Sequence, residues 1–459
     1  IKSRGPGMSA QRATAVQNIL EAPVAPTLLG LAAPNVLAVA MMTAVTFADA
    51  WFVGFLGTAD LASLAQVFPF LTLMQMMAGG SVGGGTTSAV ARALGADDVT
   101  RAESIAWHAV VLAALMSVVY MLVLGVFSRP IYQLLGGTGA ALDGAVLFSA
   151  VAFGGAAASW FIWVVAAVYR GMGDTTTPGR VITLASVLQI ILAGALTLGW
   201  FGLPSLGVTG TAVALVACQG AGALYLSFRL MAGAGRLRLR PHRLCWRDFA
   251  DILRVAGLGL FNSSCMAMTV AVATGYIGRY GTAALAGFGL GARLELMLVP
   301  IAFGVGAALT AAVGVNIGAG QFARARRFAW TGGAATFVLT GLIGLIVAVR
   351  PDLWLDLFTA DPAAYPYGVS YLVIAGVAYG VFGGGQSLYF ASQGTGDVRW
   401  PVVVTLIRFV IVVAGGAFLV ARDWPVEALF AVVTLGLVIS GIGQAMCLRT
   451  RAWSGKAGA

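Results

Sequence analysis

A carboxylic acid inside an apolar stretch needs a chemical reason, and the chain has one early on. Asp49 is the only acidic residue well inside the apolar runs of the first half, in Thr46-Phe-Ala-Asp49-Ala-Trp-Phe-Val53. A charged aspartate at mid-membrane costs about 2.5–3.5 kcal/mol on insertion scales. A carboxyl sheltered from water favours its neutral form, which suits capture and release of a proton. Met42, Val45 and Thr46 lie seven, four and three residues back, on the same helix face. The competing reading is an interfacial aspartate, since Asp49 stands only ~9 Å along the helix from Phe55.

The second half carries a different set. Arg293 and Glu295 are two residues apart, so on one helix they point away from each other. Glu295 therefore needs a partner from elsewhere, for which Arg408 is the candidate; that set reads either as a buried salt bridge or as a cation-coupling group. Gln75, Gln189, Asn262 and Gln386 are neutral polar groups in apolar runs, suited to interhelical hydrogen bonds or to lining a cavity. Pro34 lacks an N–H and frees a carbonyl one turn earlier, so its helix is expected to bend, as a hinge or as a static kink. Met41, Met42, Met74, Met76, Met77, Met266, Met268 and Met297 supply flexible thioethers, which suit packing or a promiscuous surface.

Other chemistries find little support. The two histidines, His108 and His242, are far apart, and no pair among the four cysteines has CxxC spacing, so neither a metal site nor a disulfide framework is expected. No nucleophile–base set or paired carboxylate suggests an enzyme. Gly171-Met-Gly-Asp-Thr-Thr-Thr-Pro178 lacks the lysine of a phosphate-binding loop; Asp174 and the threonines read as a helix cap, with Asp397 as its counterpart. No cofactor is expected.

The elements that must position these residues are membrane helices. Of 459 residues 59% are hydrophobic and only 10% charged, too few charges to cover a soluble fold of this size. Apolar stretches long enough to cross a ~30 Å hydrocarbon core recur throughout, without barrel-like alternation. They predict twelve spans, near 27–54, 60–90, 102–127, 143–169, 178–200, 207–232, 255–279, 283–315, 328–349, 365–392, 400–421 and 425–447. With this count, 21 of the 27 Lys and Arg fall on one side, which places both termini in the cytoplasm. The net charge of +10 thus reads as a topology signal, not as nucleic-acid binding.

The halves repeat. Phe52 to Ala62 aligns with Tyr276 to Ala286 at an offset of 224, which becomes 223 after one gap; Thr87, Ala89, Val90, Gly95 and Arg101 then match Thr310, Ala312, Val313, Gly318 and Arg324. Six spans per half is an even number, so both halves insert the same way and form two lobes around an axis along the membrane normal. Such lobes can enclose a central cavity and expose it to either side by rocking. Asp49 breaks the repeat, its counterpart being Ala273.

Several motifs together resemble the multidrug and toxic compound extrusion family: Leu31-Ala-Ala-Pro34, Phe47-Ala-Asp49-Ala-Trp-Phe-Val-Gly54, Arg170-Gly-Met-Gly-Asp174, Arg293-Leu-Glu295 and Gly314-Val-Asn316-Ile-Gly-Ala-Gly320. The resemblance runs from about Pro26 to Arg449 and is nearest to the prokaryotic DNA-damage-inducible-like branch. It implies an all-α integral-membrane fold of twelve helices in two pseudo-twofold related bundles. It also implies export of organic cations or amphiphiles in exchange for H⁺ or Na⁺, with Asp49 taking the ion and Pro34 bending the first helix. Where that branch usually has Asn and a second Asp, this chain has Gln189 and Ala193, a thinner polar network.

The resulting expectations are as follows. Asp49, Gln189 and Glu295 couple the ion; Pro34 is the hinge; Met42, Thr46, Gln75, Asn262, Arg293, Gln386 and Arg408 line the substrate cavity. The divisions are a cytoplasmic segment 1–26 (1–7 reading as an expression remnant), an N-lobe 27–232, a basic linker 233–254, a C-lobe 255–448 and a tail 449–459. The protein is expected to be a monomer in a bacterial or archaeal cytoplasmic membrane, with small molecules and lipid as partners. The rival reading is a flippase for a lipid-linked or polyprenyl substrate.

Overall fold

The computed structural model describes residues 15–233, 237–358 and 361–454. The expression remnant 1–7, Arg236 of the linker and tail residues 455–459 lie outside the described residues. Ten helices are each long and apolar enough to cross a membrane, and two bent pairs bring the number to twelve. They are α1 (Val24–Gly54), α2 (Thr58–Gly95), α3 (Val99–Val126), α4 (Gly139–Gly154 with Ala156–Gly171), α5 (Thr176–Leu198), α6 (Thr209–Met231), α7 (Trp246–Tyr280), α8 (Thr282–Gly318), α9 (Phe322–Val349), α10 (Tyr365–Gly376 with Tyr379–Thr395), α11 (Arg399–Ala421) and α12 (Val426–Cys447). Exposed stripes such as Leu115, Val118 and Leu122 on α3 are what a lipid-facing surface requires.

The repeat is visible in local geometry. α1 and α7 each end in a turn through a glycine with positive φ, Gly57 at 128° and Gly281 at 106°, values that L side chains avoid. α4 and α10 were expected as unbroken spans but bend by 45° and 56°, at equivalent points near Gly155 and Ala378. The cap readings hold: Thr177 N donates to Asp174 Oδ1 at 2.9 Å and Arg399 N to Asp397 Oδ1 at 3.2 Å. The Arg399 guanidinium on Asp397 also holds that carboxyl below its usual range.

The two lobes have separate cores, but α1 and α7 cross between them. Leu28, Leu31 and Ala32, in the first half of α1, are buried with Ala308, Leu309 and Ala312 of α8. Further along, Phe52 is buried with Ala193 of α5 and Ala214 of α6, within its own lobe. In mirrored fashion, Ile252 and Ala256 at the start of α7 belong to the N-lobe core.

α7 begins at Trp246, nine residues before the expected edge of the C-lobe, and its first turns clasp α3. Arg101 pairs with Asp251, and Ser104 Oγ donates to Asp248 Oδ2 at 2.5 Å. His108, expected to stand alone, lies with Cys245 and Asp248 so that one ligand atom of each falls within 4.8 Å of the others. Its Nδ1 meets Ser104 O at 2.7 Å and its Nε2 accepts from Cys245 N at 2.9 Å, so both ring nitrogens serve the clasp.

The lobes meet on the side of the basic loops. There α2 crosses α8 so closely that a Cβ on Gly95 would stand 2.1 Å from Val315 O, and one on Gly318 would stand 2.1 Å from Arg92 O. The contact is reciprocal under the repeat. Beside it, Thr87 Oγ1 donates to Ala167 O at 3.0 Å, and its equivalent Thr310 Oγ1 donates to Phe390 O at 2.8 Å. A latch is added by one lobe only. Ser88 Oγ donates to Gln393 O, and Arg92 Nη1 donates to Ser88 Oγ and, at 3.5 Å, to Gly394 O, at the C-terminus of α10. On the opposite side the first part of α2 packs chiefly within its own lobe, against α4 and α1. The molecule is therefore closed on its basic side.

Gly95→Ala and Gly318→Ala should each weaken this closed state by roughly 1–3 kcal/mol, the cost of forcing a methyl into a filled contact. A Thr310→Cys reporter, in a background without the four native cysteines, should then react faster with an impermeant maleimide applied from the basic side. An unchanged rate would show that the crossing does not control closure.

Candidate functional site

α1 and α5 run side by side in the same direction. Pro34 sits against Gly179, where an added Cβ would lie 2.7 Å from Pro34 Cβ and 2.9 Å from its carbonyl oxygen. A few turns on, Phe52 touches Gly194 and is buried with Ala193. This register puts Asp49 and Gln189 at about the same height. Both are left with unsatisfied chemistry: Asp49 Oδ1 and Gln189 Nε2 are buried and have no hydrogen-bond partner. Thr183 Oγ1 and Thr197 Oγ1, also on α5, share this condition. A buried carboxylate oxygen without a donor is costly in proportion to its charge, so the polar groups between α1 and α5 are chemically incomplete. Ala193 is fully buried under Phe52, so apolar contact replaces a second acid there.

Pro34 lies at the crossover of α1. Around it the helix passes from the C-lobe, where Leu28, Leu31 and Ala32 are buried, to the N-lobe core, which Ala38 joins. Val36 approaches Gly304 of α8 closely enough that a Cβ on that glycine would sit 2.6 Å from Val36 Cγ2. A bend at Pro34 would therefore move Asp49 relative to the lobe interface. Met42 is half-buried against the N-lobe core, Thr46 is exposed with its hydroxyl bonded to Met42 O at 3.3 Å, and Gln75 is half-buried.

The remaining residues fall in the other lobe. Arg408 Nη2 donates to Glu295 Oε1 at 3.2 Å and Tyr371 OH donates to Glu295 Oε2 at 3.2 Å. Both carboxylate oxygens are thus occupied, unlike Asp49 Oδ1, and the Arg408 guanidinium also stacks 5.1 Å from the Phe382 ring centre. Arg293 is exposed and on another face of α8. Asn262 accepts from Thr405 Oγ1 at 2.6 Å and, with Gln386, points an amide nitrogen at Met266 Sδ, at 3.8 and 3.6 Å. The candidate residues therefore form one N-lobe set around Asp49 and two C-lobe sets, which the structure does not bring together.

One residue escaped the sequence reading. Arg170 was counted among the loop cations, yet it is 3% exposed in the last turn of α4, at the lobe interface. Its signal was positional: it sits in the repeat opposite Gln393.

Twelve helices in two like-oriented lobes, with the Oδ1 of Asp49 buried and unpaired between two of them, make the architecture of an integral-membrane transporter. The chain belongs to the MatE family, whose model matches residues 34–194 and 258–418, two equal segments 224 residues apart. It is thus a member of the multidrug and toxic compound extrusion transporters that its motifs resemble. It is 26% identical to a FAD transporter of Shewanella oneidensis over 80% of this chain and 81% of that protein. It is 28% identical to the probable multidrug resistance protein NorM of Thermotoga maritima over 70% of each. Its fold matches a transporter of the MOP superfamily from Pyrococcus furiosus, described as having a binding pocket of reversed polarity, with a TM-score of 0.87 and 20% identity over the full length of both chains.

The two acids should respond in opposite ways to neutralisation. Glu295→Gln leaves Arg408 buried without a counter-charge and should destabilise the purified protein by about 3–5 kcal/mol. Asp49→Asn removes an unpaired acid and should leave the melting temperature unchanged or raised. Equal losses in a thermal melt would contradict the contrast.

Proposed function

We propose that this protein is a secondary active efflux antiporter. It exports amphiphilic compounds, organic cations among them, in exchange for inward flow of H⁺, with Na⁺ as the alternative ion. The observation that carries this reading is Asp49, whose Oδ1 is buried without a partner between α1 and α5, within about one helical turn of Gln189. A cation satisfies it: a proton removes its charge, and a metal ion would share it with the amide oxygen of Gln189. Pro34, held between Gly179 and the crossover to α8, converts that change into a bend of α1. The relatives named for multidrug resistance support a broad substrate range. The basic side is taken as cytoplasmic, in a prokaryotic inner membrane, so the closed state faces outward.

Glu295, with both oxygens bonded, fits a structural role better than an ion-coupling one. The same pair weakens the flippase reading: Arg408 is spent on Glu295 and is not free for an anionic headgroup.

Proteoliposome efflux of ethidium, driven in turn by a pH gradient and by a Na⁺ gradient, tests the proposal. The wild type should respond to the pH gradient, and Asp49→Asn should fall to the passive leak while still binding ethidium. Full gradient-driven export by Asp49→Asn would overturn the role given to this residue.

A further inference from the structure

Between the lobes, next to the α2–α8 crossing, lies a small chamber lined by Thr87 and Arg170 from one lobe and by Phe303, Thr310, Phe390 and Gln393 from the other. It has room for about one water-sized particle. It also adjoins a π-helical turn of α2, Met76–Val82, whose Gly79 and Gly80 reach its wall.

The chamber holds a charge that nothing visible balances. Arg170 is 3% exposed, and its one recorded contact is the Trp163 ring, 6.0 Å from its guanidinium carbon. Among the described residues it has no carboxylate partner and no hydrogen-bond acceptor. The other interface arginine, Arg92, binds Ser88 and a helix C-terminus, and Arg408 binds Glu295. A buried cation without a partner is strongly unfavourable. The C-terminal end of α4 offsets at most about half a unit of its charge.

The rest of the lining offers no charged acceptor, only the neutral amide oxygen of Gln393, which is buried without a partner. The Thr87 and Thr310 hydroxyls donate their protons to Ala167 O and Phe390 O. The Gln393 amide nitrogen donates to Gly80 O at 3.4 Å and lies near the Tyr389 hydroxyl, while its Oε1 lies against Gly84.

We propose that this chamber binds one small monovalent anion of chloride's size, held by Arg170 with the Gln393 amide. Its walls come from both lobes, so the site exists only while they are closed on the basic side. By linkage, the anion stabilises that state. The inference is independent of the transport reading and is tested by binding alone.

The full chain, purified in detergent, is melted in chloride, bromide and gluconate at matched ionic strength. Chloride and bromide should raise the melting temperature by roughly 2 °C or more over gluconate. Arg170→Gln should lose that increment and melt in gluconate no lower than the wild type. In wild-type crystals soaked in bromide, an anomalous peak should appear beside the Arg170 guanidinium, an arm that does not depend on any variant folding. Equal melting in the three salts, an increment that survives Arg170→Gln, or a bridging water alone at the bromide position would each overturn the proposal.

Discussion

The closed form depends on two helix backbones touching. Side chains hold most soluble interfaces together, but α2 and α8 cross with Gly95 on Val315 O and Gly318 on Arg92 O, leaving no room for a Cβ on either. In lipid, apolar burial gives helices little reason to associate, and close packing of small residues takes its place. The threonine-to-carbonyl bonds beside the crossing satisfy polar groups on both sides of it. The chamber and the latch both sit where they do because the two backbones approach this closely.

That contact would only glue two bundles together were it not for the exchange of helix roots. The first half of α1 belongs to the C-lobe core and the first half of α7 to the N-lobe core. Neither lobe can tilt without straining a helix it shares with the other. In α1 the strain falls near Pro34, where the i−4 carbonyl is already free. In α7 it falls beyond the clasp of Arg101 and Ser104 on Asp251 and Asp248. Asp49 and the lobe interface are thus joined through one continuous helix.

Much of this was legible in the sequence because lipid limits the choices. The span count, the two lobes and the pairing of Glu295 with Arg408 follow from hydropathy, the repeat offset and the impossibility of pairing at i and i+2. The bends in α4 and α10 were not, since an apolar run looks the same straight or broken. The early start of α7 was hidden because Asp248 and Asp251 resemble a linker until their partners on α3 are seen. Arg170 was misplaced for a similar reason: positive-inside counting assigns a cation near a helix end to the loop, and only the opposing lobe buries it. Asp49 could be singled out from its surroundings, but its missing partner and its height relative to Gln189 needed the register fixed by Pro34 on Gly179.

The latch of Ser88 and Arg92 is one-sided, for the repeat places Ala311 and Val315 at the corresponding positions. A pair of N-terminal halves would therefore carry two such fasteners and a pair of C-terminal halves none. If the chain arose by gene duplication, its descendants stopped being interchangeable here. One copy kept or acquired the strike plate, the other the bolt, and each can now drift without upsetting its sibling.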